Sequence, residues 1–239
     1  MANKSSLENV LKSVLSVGNA EQNFAYAPNV YDNHYNIVVS FMLDMFAIHY
    51  PIHIDSFLPF IRTKTIAVTD GHIILPDDFR NLLGAPSISV NQDGKDCSSE
   101  VVIDTKAEFK TANLKAGCKS YPVHVIDKKE WDARTTSTYA FPTHKDPIGM
   151  YDGKKIKVCP YDITRVTIMY LKKENIYRYG YITQPDDTYI YDPATSAETE
   201  FEDAAFEILF KGVSSLYAAY SRDSSLIEWN AILSKAGLF

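Results

Sequence analysis

The chain predicts an α+β fold: a helical bundle built from its N- and C-terminal helices, with a central inserted antiparallel β-sandwich or barrel-like region. Three observations lead there. Apolar residues recur at helical spacing near both ends of the 239-residue chain and at period two between them. Ile66–Val68 and Ile73–Leu75 flank Asp70-Gly71, which suits a type I′ hairpin turn because both central residues must take positive φ. Strands do not alternate with helices, which argues against a doubly wound parallel sheet. The expected parts are a helical segment over 1–63, a β-rich insertion over 64–202, and C-terminal helices over 203–239 that pack back on the first part.

Taken in order, Ser5-x-x-Glu8 is a candidate capping box. Leu7, Val10, Leu11, Val14 and Leu15 follow on one helical face, with Gly18 as a stop. Residues 19–33 are polar and aromatic, contain Pro28, and are expected to form a loop. A second helix is predicted over Tyr35–His49, ended by Pro51. Val38, Phe41, Met42, Met45 and Phe46 form its apolar stripe, and Ile37, Val39 and Ile48 extend the apolar character to its other side. A helix of that kind is central or lies in an interface. Beyond the hairpin, Pro76 has no N–H for a ladder and stops the strand. Asp77-Asp78-Phe79-Arg80 is then expected to open a helical turn, its acids at the end that the dipole favours.

Period-two runs predict strands at 87–91, 100–104, 120–126, 154–158, 164–171, 176–183 and 188–191, with turns at Asn175, 185–187 and Asp192-Pro193. Asp127-x-x-Glu130 predicts a short helix to Arg134. After Phe201 the helical period returns in Phe206, Leu209, Phe210, Val213, Leu216, Tyr217 and Tyr220. Gly212 inside that helix points to a close helix contact. Ser225-x-x-Glu228 opens a last helix carrying Leu226, Trp229, Leu233 and Ala236.

Composition narrows the function. With 46% hydrophobic and 23% charged residues the balance is that of an ordinary globular protein. The net charge of -6 disfavours tight, sequence-independent nucleic-acid binding, yet suits a surface that DNA slides past. No run approaches the ~18 apolar residues of a membrane span, so a soluble chain made in a cytoplasm is expected. Cys97, Cys118 and Cys159 are odd in number and far apart, and are expected to be reduced thiols.

Chemical motifs are sparse. There is no Gly-x-Gly-x-x-Gly, no Gly-x-x-x-x-Gly-Lys and no Gly-x-Ser-x-Gly. His49 and His53 are four apart, but Pro51 breaks the helical geometry that a metal pair needs. Asp77-Asp78, Asp186-Asp187 and Glu202-Asp203 fall where helix starts and turns are expected. Tyr177, Tyr179 and Tyr181 share a strand face that is expected to pack or to form a subunit contact, because Arg178 points the other way. No catalytic, cofactor-binding or metal residue is assigned. Trp229, Leu238 and Phe239 are candidate interface residues, as large apolar groups near a chain end.

Several segments carry a family resemblance. Asp55-Ser-Phe-Leu-Pro-Phe60 leads into the Asp70-Gly71 hairpin, and Leu75-Pro-Asp-Asp-Phe79 follows it. Pro147-Ile148 and Lys155-Ile-Lys-Val-Cys-Pro160 lead into Val166-Thr-Ile-Met-Tyr-Leu171. Tyr191-Asp-Pro, Thr199-Glu-Phe-Glu-Asp203 and two closing helices complete the order. In this order the chain resembles the ring (portal-to-tail adaptor) proteins of crAss-like and related Bacteroidetes bacteriophages, and more distantly the tail tubular protein A group. The resemblance implies a non-enzymatic virion protein that forms one ring of the head-to-tail connector. It further implies a cyclic, dodecameric ring that meets the portal protein and other neck rings and passes DNA and ejected proteins without sequence-specific binding. Such a chain is made in the bacterial host cytoplasm and ends in the virion neck. The alternatives are a monomeric protein-binding adaptor and a carbohydrate-active hydrolase with dispersed carboxylates.

Overall fold

The structure, a computed structural model, describes residues 6–17, 27–49, 54–90, 97, 102–103, 118–185 and 188–221. It is a mixed α+β chain that divides into two units: Met1–Pro59 with Glu174–Phe239, and Phe60–Lys173. The segment 174–202, expected at the end of the β-rich part, belongs with the helices.

The first unit is built on α2 (Pro28–His49), which buries Tyr31, Tyr35, Val38, Val39, Met42, Leu43 and Phe46 along one side. Its start is earlier than the expected Tyr35. Pro28 takes the first helical position, where a missing N–H costs nothing and φ is already helical. α1 (Leu7–Val17) buries Leu7, Val10 and Val14, and Ser6 Oγ accepts the N–H of Asn9 at 3.3 Å as its cap. α3 (Ile54–Phe57) runs into a 3₁₀ turn, Leu58–Phe60. Phe57 stacks on Phe46 at 4.2 Å between ring centroids and meets Phe201 edge-on at 5.9 Å.

The remaining long helix, numbered α5 below, spans Phe206–Ser221 and packs on both α1 and α2. Gly212 explains how close it comes. A Cβ at that position would lie 2.6 Å from Val38 Cγ1, nearer than real carbon contacts allow. The expected close helix contact is therefore present, and it meets α2 at Val38. The predicted last helix over 225–236 lies outside the described residues, as do Trp229, Leu238 and Phe239.

Among its described residues the second unit holds ten strands and α4 (Lys128–Thr136). The strands are β1 (Ile61–Ala67), β2 (His72–Ile74), β3 (Phe79–Leu82), β4 (Ser87–Val90), β5 (Val102–Ile103), β6 (Lys119–Pro122), β7 (His124–Val125), β8 (Ile148–Asp152), β9 (Lys155–Cys159) and β10 (Arg165–Lys172). One sheet runs β5-β1-β10-β4-β6, with β3 also on β10, and the other runs β2-β9-β8-β7. Pairing is antiparallel except between β7 and β8. Ile73 and Leu75 from the second sheet share one core with Ile88, Val166 and Ile168 from the first.

The Asp70-Gly71 turn forms as expected, with φ of 53° and 71° and reciprocal bonds between Thr69 and His72 of 2.8 and 2.9 Å. Beyond that pair the two arms separate. β1 pairs with β10 and β2 pairs with β9, so the turn is a corner between sheets rather than the end of a long hairpin. The α4 cap also follows expectation, with the Asp127 carboxylate accepting the Glu130 N–H at 2.8 Å.

Three expectations are corrected. Asp77-Asp78 opens no helix. Both residues lie in a turn, Tyr170 Oη donates to Asp78 Oδ1 at 3.0 Å, and Phe79 begins β3 against β10. The strand expected over 176–183 is reduced to β11 (Tyr181–Thr183), paired with β12 (Tyr189–Tyr191). Cys97 and Cys118 are joined in a disulfide rather than reduced, while Cys159 is a buried thiol raised above its usual pKa mainly by burial. Both cysteines lie beside the β4–β6 pair. The Cys97 N–H donates to the Ser89 carbonyl at 2.8 Å, Cys118 directly precedes β6, and the two Cα atoms stand 6.2 Å apart.

The Gly212 contact is testable. Gly→Ala in an exposed helix gains about 1 kcal/mol in propensity. Gly212→Ala is instead expected to lose about 1–3 kcal/mol, as overpacking does. Val38→Ala in that background is expected to recover part of the loss, giving a non-additive cycle in denaturant melts.

Candidate interaction surface

The side of α2 that faces its own unit holds an extended segment in place of a strand. Asn36 and Asp32 lie one helical turn apart and point at residues 177–179. Asn36 Oδ1 accepts the N–H of Tyr177 at 2.9 Å, and its Nδ2 donates to the Tyr177 carbonyl at 2.8 Å. Asp32 Oδ1 accepts the N–H of Tyr179 at 2.7 Å. These side chains supply what a neighbouring strand would otherwise offer. The other edge is satisfied by Arg178 and Ala197, which exchange both backbone bonds.

Tyrosines fill the space between. Tyr35 meets Tyr177 edge-on at 5.6 Å, and Tyr31 meets Tyr179 edge-on at 5.8 Å. Tyr31 Oη donates to the Leu7 carbonyl at 2.7 Å, tying α1 to the same cluster. Burial pushes the Tyr35 and Tyr177 hydroxyls well above the usual tyrosine range. Burial also raises the Asp32 carboxyl, against the opposing pull of the Tyr179 N–H and the Arg178 charge. Thus, of the three tyrosines expected on one strand face, Tyr177 and Tyr179 pack, against a helix, whereas Tyr181 is exposed in β11.

The opposite side of α2 is apolar and exposed. Ile37 (56%), Phe41 (63%) and Ile48 (72%) form a stripe with the less exposed Met45. The β11–β12 ribbon carries a second exposed apolar face, Ile182 (55%) and Ile190 (53%), which are directly paired across the strands. A two-stranded ribbon with its apolar face in water is marginal by itself.

The second unit offers two open clefts, each of about 550 Å³. In one, Asp146 forms an ion pair with Arg134 and lies 3.8 Å from His124. The other contains Asp127, committed to its helix cap, and Asp152, 3.7 Å from Lys157, beside Trp131 and Tyr151. Asp127, Asp146 and Asp152 thus each have a structural partner. Tyr139 is fully exposed beyond α4, with Phe141 half-exposed near it. Among the described residues no group of three or more His, Cys, Asp or Glu is placed to hold a metal ion. None of the described helices is long and apolar enough to cross a membrane.

No protein-family model and no curated protein matches the chain. The sequence singled out Ile37, Phe41, Met45 and Ile48 as apolar positions, but it did not separate them from the buried side of α2. It missed Asn36 and Asp32, which look like ordinary polar helix positions. Their i, i+4 spacing on the side shared with Tyr31 and Tyr35 was the available signal.

Asp32 generates a pH prediction. Its carboxyl is raised from 3.8 by burial, so the folded chain keeps the proton to higher pH than the unfolded chain does. Its stabilising contribution is present below the unfolded value and is lost as pH rises through the folded value. Asp32→Asn keeps an oxygen for the Tyr179 N–H and removes the charge. It is expected to melt at or above the wild-type temperature at pH 7, with its advantage shrinking towards pH 4. Asp32→Ala, which leaves that N–H unpaired, is expected to cost about 1–3 kcal/mol. Equal losses in both variants contradict the assigned bond.

Proposed function

We propose that this chain is a structural virion protein that forms one ring of a phage head-to-tail connector. The observation that carries the reading is the two-sided apolar character of α2: one side is buried by its own unit, and Ile37, Phe41 and Ile48 remain exposed on the other. A side left apolar in water over the second half of a helix suits a contact between subunits. The segment order from Asp55 to Asp203 supplies the resemblance to portal-to-tail adaptors.

In this reading the terminal helices form a bundle and the two sheets around their common core a sandwich-like insertion. The ring is cyclic, dodecameric by resemblance, and meets the portal protein and neighbouring neck rings. Its net charge of -6 suits a channel wall that repels phosphate and lets DNA pass. Of the carboxylates lining the clefts, Asp127 is tied to a helix cap and Asp146 and Asp152 to ion pairs, which supports this structural reading over a dispersed-carboxylate hydrolase.

Cryo-electron microscopy class averages of the purified chain, alone and mixed with its cognate portal protein, test the proposal. Closed rings are expected in at least one sample. Monomers in both overturn it and leave the adaptor reading.

A further inference from the structure

We draw no further inference here: the strongest candidate, the exposed apolar stripe of α2 at Ile37, Phe41, Met45 and Ile48, carries none because nothing in the structure shows what covers it.

Discussion

The carboxamide of Asn36 is the interaction on which the helical unit depends. It returns both the N–H and the C=O of Tyr177 to hydrogen bonding, and Asp32 does the same for the N–H of Tyr179. An extended segment packed on a helix has no ladder on that side, and buried backbone groups left unpaired cost about 1–3 kcal/mol each. These two side chains allow residues 174–202 to join the helices without a sheet beneath them. The tyrosine pairs then add edge-on ring contacts and bring α1 into the same cluster through Tyr31.

Consequences spread along α2 from this point. Its inner side is committed to α5 at Val38, to the extended segment at Asn36 and to Phe57 at Phe46. The stripe on its outer side has none of these contacts. In the β11–β12 ribbon Ile182 and Ile190 are paired across the strands and exposed. In the second unit the Asp70-Gly71 turn has a comparable part, because it passes the chain from one sheet to the other around their common core.

Features governed by neighbours in sequence were legible. The Asp70-Gly71 turn, the Asp127 cap and the amphipathic faces of α1 and α5 depend on local geometry and side-chain period. Gly212 was legible too, since a helix tolerates a glycine in its middle when something lies close by. Features decided by distant partners were not. Alternation in 176–183 looks the same whether the partner is a strand or the side chains of a helix. Asp77 and Asp78 suit a turn as well as a helix start, and pairing with β10 decides between them. β8 escaped because Gly149 interrupts its apolar pattern. The bridge from Cys97 to Cys118 depends on Cys97 returning to the Ser89 carbonyl beside the β4–β6 pair, which cysteine spacing does not encode. For the candidate surface, the apolar positions of α2 could be read, whereas the division between buried and exposed sides could not.

Amide hydrogen exchange at Tyr177 and Tyr179 in the full chain tests the helix-held segment most directly. With their N–H groups bound by Asn36 and Asp32, both amides are expected to exchange far more slowly than an open peptide, at rates close to those of the α2 interior. Exchange of either amide at the open-peptide rate, in a chain whose α2 is protected, contradicts the clamp.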